Sequence, residues 1–286
     1  MVPLLCHFEC VVETDMSKLS SDEIRQLDPY TLLAELGKKV IRPGGCGASE
    51  TIFRIANFQP GQKVLDIGCG VGTTAIQIAS RFGCDVTAVD VDSRMLASAE
   101  ENIRKAGVSG NVTLKRGDIL ALTFEDDVFD VVTIEAVSMF TRDQQAAIRE
   151  AVRVCRPGGY VFDHEFVWTR KPSEELLQAF ETNVCSGMSF ETEHEWEELF
   201  RAAGQDDNRS LMVPFDLLTP GGMLRDEGLP GTVSLIARAL SRWAYLTRVF
   251  RLMRGLARVS SCLSSVVVVS QKNKAGADNI QSGSAV

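Results

Sequence analysis

Gly68, Gly70 and Gly72 alternate with Cys69 and Val71, directly after the apolar run Val64-Leu65-Asp66-Ile67 and before Thr73-Thr74. Three glycines where a strand turns into a helix let a ligand reach the backbone, because any Cβ there would clash. The first turn of the helix adds N–H donors that have no partner within it. Asp66 lies two residues before the first glycine. Asp90, with Val91 beside it, closes the next apolar run. Gly117-Asp118-Ile119 follows a third run. Each acid alone has a plain structural use, Asp66 capping its own turn and Asp90 ending a surface strand. Their shared position at strand ends is what points to a single crevice.

Two residues are candidates for proton transfer. Glu135 directly follows the fourth apolar run, and His164, with Glu165, ends the fifth. Histidine has the more suitable chemistry, since its unperturbed pKa lies near ~6.5. His7 and His194 have weaker claims, one close to the N-terminus and one in a capped helix. The eight cysteines show no C-x-x-C pair. Cys6-His7 with Cys10 could bind a soft metal but has no fourth ligand, so no metal site is expected.

The elements that must position these groups follow from hydropathy patterning. Strands are predicted at 63–67, 85–90, 111–115, 129–134 and 160–166. Between them helices are predicted at 71–81, 93–105 (with Ser93 as N-cap) and 142–154. Such alternation implies βαβ units, a parallel sheet and helices on both faces, with ligands beyond the carboxyl ends of the strands. Ser173 can cap a helix over 174–180. Thr192 with Glu195 makes a capping box for one over 193–200, and the acids Glu191 to Glu198 then read as a solvated helix start. Sixth and seventh strands are predicted at 210–214 and 264–269. Between them, 219–231 looks loop-like and 232–259 helical, with a break near Thr247 because one straight helix would put Arg254 on the apolar face. Upstream, short helices are predicted from Ser20 and over 29–38.

The pattern D-x-G-x-G-x-G at Asp66, Gly68, Gly70 and Gly72 resembles motif I of the class I S-adenosylmethionine-dependent methyltransferases. Pro157-Gly158-Gly159 resembles that family's turn before the fifth strand. The stretch Arg42-Pro43-Gly44-Gly45 is similar to the segment preceding the core in small-molecule methyltransferases of the ubiquinone/menaquinone and type-11 kind. The resemblance covers about residues 30–205. It implies a Rossmann-like seven-stranded α/β sheet with an N-terminal helical extension and a helical insertion before the last strand. It also implies S-adenosyl-L-methionine as cofactor. Its site would comprise Arg42 and Gly44 near the cofactor carboxylate, the Asp66 to Gly72 turn with Cys69, Asp90 and Val91 at the ribose, Asp118 and Ile119 at adenine, and Glu135 beside the methyl. The implied domains are an extension over 1–58, a core over 59–213 and 261–273, an inserted lid over 214–260 and a disordered tail from 274.

The segment Glu135-Ala136-Val137-Ser138 lacks the Asn/Asp-Pro-Pro-aromatic motif that grips planar amino groups, which disfavours nucleobase or amide nitrogen as acceptor. The leading expectation is a small acceptor, which could be hydrophobic, with O, C, N or S as the methylated atom; Leu235, Ile236, Leu240, Trp243, Phe250 and Met253 either form an apolar lid over it or complete the core. Nicotinamide oxidoreductases on a related sheet use G-x-G-x-x-G instead. A binding protein without transfer activity would show a degraded motif I. The formal charge of −8 argues against nucleic acid as partner. That charge is uneven, −13 over residues 1–200 and +5 over 201–286. The basic excess sits at Arg238, Arg242, Arg248, Arg251, Arg254 and Arg258. It could meet an anionic acceptor, a membrane surface, or the acidic core of the same chain, and the last needs no further partner. With no signal peptide, no run long enough to span a membrane and no disulfide pattern, a cytoplasmic protein is expected; its oligomeric state is left open.

Overall fold

The computed structural model describes residues 19–185 and 187–273 of the 286-residue chain. Cys6, His7, Cys10 and the segment beyond 273 lie outside the described residues. Seven strands form one sheet: β1 (Lys63–Ile67), β2 (Asp85–Asp90), β3 (Val112–Arg116), β4 (Phe129–Glu135), β5 (Cys155–Trp168), β6 (Asn208–Val213) and β7 (Leu263–Gln271). Ten helices accompany them: α1 (Ser21–Gln26), α2 (Pro29–Glu35), α3 (Gly45–Ala56), α4 (Thr73–Phe82), α5 (Ser93–Ala106), α6 (Gln144–Val154), α7 (Glu174–Asn183), α8 (Glu193–Ala202), α9 (Pro220–Ser241) and α10 (Trp243–Val259). The chain groups into two compact units. One comprises Met1–Ile41, Arg170–Ser189 and Asp216–Leu263, the other Arg42–Thr169, Phe190–Phe215 and Ser264–Val286. This grouping places α3 with the sheet and α7 with the insertion, unlike a division at residue 58.

In the sheet unit the strand order is β3-β2-β1-β4-β5-β7-β6. β1 through β5 pair in parallel, and β6 pairs antiparallel with β7. The chain leaves β1 towards β2 and β3, then returns to lay β4 on the other side of β1. That reversal is the switch point at which open α/β sheets bind ligands. Strand alternation divides the apolar residues between two faces. Val64, Val86, Ala88, Val131 and Phe162 pack with α3, α4 and α5, while Leu65, Ile67, Val132, Ile134 and Val161 pack with α6 and α8. Pro157-Gly158-Gly159 bulges out of β5: Phe129 pairs with Cys155 and Val131 with Tyr160, so the intervening residues are looped out. α3 has no counterpart in the sequence reading, because Gly45 and Gly47 depress helix propensity and only tertiary burial of Ala48, Ile52 and Phe53 offsets them. Ser93 does not cap α5; Asp92 does, its carboxylate accepting from the Arg94 amide. The capping box of α8 (Thr192/Glu195) forms as read, and the short helix expected from Ser20 starts with a second capping box, Ser20/Glu23.

In the helical unit, α10 packs against α1, α7 and α9. Arg248 is buried and donates to the carbonyls of Leu27 (3.0 Å) and Val184 (3.2 Å). Lys38 is fully buried against Glu227 (3.3 Å) and Asp226 (3.7 Å). Two expectations are corrected. Residues 219–231 are not loop: Thr219 caps the Gly222 amide and Pro220 opens α9 at the position where its missing N–H costs nothing. Gly228, at φ 66°, kinks that helix before Pro230. The break that separates Arg254 from the earlier apolar stripe falls at Arg242 (φ −140°, ψ 134°), not near Thr247. Leu235 is buried, but Ile236, Leu240, Trp243, Phe250 and Met253 are exposed. Arg238, Arg251, Arg254 and Arg258 are exposed too, and none forms an ion pair with a described residue, so they are not taken up by acidic neighbours as the charge balance suggested. No helix among the described residues is long and apolar enough to cross a membrane.

Candidate active site at the switch point of the sheet

Parallel pairing sets Asp66 opposite Thr133, and Glu135 opposite His164. Because paired residues share a face and alternate ones return to it, Asp66, Thr133, Glu135 and His164 form one polar row at the carboxyl ends of β1, β4 and β5. The row is buried on the α3/α4 face. Arg42 forms an ion pair with Glu135 through Nε and Oε2 at 2.9 Å, and its Nη1 donates to Thr74 Oγ1 at 2.8 Å. Ser49 of α3 donates to Glu135 Oε2 at 2.8 Å and Thr74 of α4 to Oε1 at 2.7 Å. Both Glu135 oxygens are thus occupied. Burial pushes this carboxyl up, but the Arg42 guanidinium, with His164 and the Thr74 hydroxyl, overrides it and holds the pKa at about 2.

Four polar atoms in this group have no hydrogen-bond partner: Asp66 Oδ2, Arg42 Nη2 and both ring nitrogens of His164. Asp66 accepts from Thr133 Oγ1 at 3.1 Å through Oδ1, while its Oδ2 is buried and unpaired; Arg42 Nη2 is buried and unpaired as well. Burial and the nearby Glu135 charge push Asp66 up to about 7. Buried polar atoms in native proteins are overwhelmingly paired, so an orphan acceptor and an orphan donor call for a ligand. His164 is fully buried, its Nδ1 3.6 Å from Glu135 Oε2, and burial lowers its pKa.

The glycine turn lies above this row. Gly68, Gly70 and Gly72 all adopt positive φ (69°, 53° and 84°). A Cβ on Gly68 would come within 2.1 Å of Val137 Cγ2, whereas one on Gly70 would meet nothing within 4 Å, so the space in front of Gly70 is open. Asp90 Oδ2 accepts from the Gly70 amide at 2.8 Å and Oδ1 from the Asp92 amide at 2.9 Å, tying the turn to the end of β2. The Cys69 amide donates to the Val89 carbonyl at 2.9 Å, and burial raises its thiol out of the reactive range. Val91 and Asp118 are exposed beyond β2 and β3, while Ile119 is buried in the core beside Val89. Gly44 is the N-cap of α3. The space before its Cα is filled by Val213 Cγ1 (2.7 Å from a built Cβ), so protein packing by itself demands that glycine.

The opposite face of β5 holds groups that the sequence reading did not single out together. Glu165 Oε1 accepts from the Val137 (2.7 Å) and Ser138 (2.6 Å) amides, and Ser138 Oγ donates to Asp163 Oδ2 at 2.9 Å. They hold the turn after β4, in which Ala136 sits at φ 60°. Burial raises both carboxyls, Asp163 to about 7. Ser49, Thr74 and Thr133 were missed also. Thr74 was within the motif, but nothing in the local sequence marks Ser49 or Thr133. No group of His, Cys, Asp and Glu among the described residues has the arrangement of a metal site.

Comparison with known proteins agrees with this geometry. The methyltransferase-domain family matches residues 64–159. An uncharacterised protein of Haemophilus influenzae is 32% identical over 213 residues, 74% of this chain and 85% of that one. The ubiquinone/menaquinone biosynthesis C-methyltransferase UbiE of Shewanella woodyi is 34% identical over 125 residues, 43% of this chain and 49% of its own length. Phosphoethanolamine N-methyltransferase 2 of Haemonchus contortus, solved with S-adenosyl-L-methionine, superposes with a TM-score of 0.70 at 22% identity, over 89% of this chain and 58% of that one. With its switch-point glycine turn and these similarities, the chain belongs to the class I S-adenosylmethionine-dependent methyltransferases, enzymes whose methyl donor is S-adenosylmethionine.

Proposed function

We propose that this protein moves the methyl group of S-adenosylmethionine to a small acceptor bound beyond the carboxyl ends of β1 and β4. The observation that carries this reading is the pair of buried orphan atoms beside the glycine turn, Asp66 Oδ2 and Arg42 Nη2. The cofactor has an ammonium for the first, a carboxylate for the second and a ribose diol for Asp90. Gly68, Gly70 and Gly72, with the Cys69 backbone, give it close approach, and Val91, Asp118 and Ile119 border the adenine. When bound, it supplies an electrophilic methyl with a neutral leaving group. The chain's part is to align the acceptor and exclude water. Glu135 is a positioning residue for Arg42 on this reading, because both its oxygens are engaged. With both Glu135 oxygens engaged and His164 fully buried, neither serves as general base on this reading. That favours an acceptor nucleophilic in its own right, such as a thiolate, an amine or an activated carbon.

Calorimetry should detect S-adenosylmethionine and S-adenosylhomocysteine. No heat with either, together with binding of NAD, overturns the reading. The acceptor itself is found by incubating a metabolite extract with methyl-labelled cofactor and following the label by mass spectrometry.

A further inference from the structure

Leu229, Val233, Ile236 and Leu240 of α9, with Trp243 at the start of α10, are between 48% and 72% exposed. At about 100° per residue the first four fall within one sector about 60° wide, away from the buried Leu235 and Ala239. α10 carries an exposed apolar sector of its own. Trp243, Phe250 and Met253 share a sector about 80° wide, opposite the buried Ala244, Arg248, Leu252, Gly255 and Val259. Arg251, Arg254 and Arg258 fill the sector alongside and are exposed. From residue 228 to 273 the sequence contains no Asp or Glu and seven Lys or Arg. An apolar surface that no described residue covers marks an interaction surface.

We infer that α9 and α10 dock on an anionic lipid bilayer, lying in its interface with the aliphatic strip towards the acyl chains. The arginine row then lies at headgroup level, and Trp243 sits where indoles prefer to be, at the boundary. Charge selects this occupant. A second copy paired about a two-fold axis would set the arginine row against itself. A protein partner is read through mixed charges at the rim of an interface, whereas the charges of α9 beyond Glu227 and of α10 are all positive. The inference uses the helical unit alone and stands or falls separately from methyl transfer.

The test uses the full chain with vesicles of phosphatidylcholine, alone or mixed with phosphatidylglycerol, in a flotation assay. Trp168 and Trp196 are buried, so a blue shift of tryptophan emission reports Trp243. Binding to the anionic vesicles with a blue shift, and little to phosphatidylcholine alone, is expected. R251Q/R254Q/R258Q should weaken it about 100-fold, each basic residue near a charged surface contributing roughly fivefold. I236E/L240E should abolish it while leaving the melting temperature unchanged, since both side chains are exposed. No flotation with anionic vesicles, or flotation that I236E/L240E leaves intact, overturns the inference. So does a lipid-free dimer in sedimentation velocity that I236E/L240E dissociates, which would assign the strip to a second copy.

Discussion

Replacing Arg42 by alanine removes the charge that keeps Glu135 ionised in the protein interior. Two routes give the size of the loss. Glu135 is held at about 2, well below the ordinary glutamate value of 4.5, a difference worth about 3 kcal/mol. Breaking a buried ion pair from one side costs about 3–5 kcal/mol in other proteins, because the remaining charge is left without compensation. The side chains are 7% and 6% exposed, so solvent screening does little to reduce either figure. Arg42→Ala should therefore lower stability by about 3 kcal/mol at pH 7, read as a fall in the urea midpoint. Glu135→Gln in the same background should restore part of the loss, because no buried anion remains. The pH dependence has a definite sign. A carboxyl whose folded pKa is depressed stabilises above its unfolded pKa and loses that contribution as pH falls towards about 2. The gap between wild type and Arg42→Ala should thus be widest near neutrality and close below pH 4. A loss under about 1 kcal/mol, or strictly additive effects in R42A/E135Q, would refute the view that Arg42 and Glu135 act as one buried pair.

Gly68→Ala should abolish cofactor binding, and soluble expression should fall with it, since φ is 69° and the new Cβ would strike Val137; calorimetry and yield check this. Asp66, pushed up to about 7 by burial and by Glu135, must lose its proton to receive an ammonium. Cofactor affinity should therefore drop about tenfold per unit below pH 7 and level off above it, and Asp66→Asn should bind weakly without that slope in a calorimetric pH series. Asp163 is also raised to about 7, so folding takes up a proton between about pH 4 and 7 and stability declines as pH rises through that window. Asp163→Asn should flatten the decline in thermal melts, since an amide oxygen can still accept from Ser138. Ala136→Gly should raise stability by about 1 kcal/mol by relieving a left-handed backbone at φ 60°; an unchanged midpoint would mean the turn carries no strain.

What the chain determines locally was legible without its tertiary structure. Period-two runs such as Val64–Ile67 and the helix starts at Ser20 and Thr192 depend on neighbours a few residues away. So does the glycine turn, whose positive φ angles need residues without a Cβ. The placement of Asp66, Asp90 and Glu135 at strand ends follows from those same local signals. Tertiary structure decided what each group is for. Arg42, Ser49 and Thr74, from 93 to 61 residues away in sequence, engage both oxygens of Glu135. The sheet buries His164 completely, and that burial lowers its pKa. α3 exists because the sheet covers its apolar side, and α9 because Thr219 and Pro220 start a helix that Gly228 then bends. A hydropathy pattern shows that α9 and α10 carry apolar stripes. Only their packing shows which stripe is buried and which, beside Arg251, Arg254 and Arg258, is left facing outward, because burial belongs to the pair of surfaces that meet and not to either sequence alone.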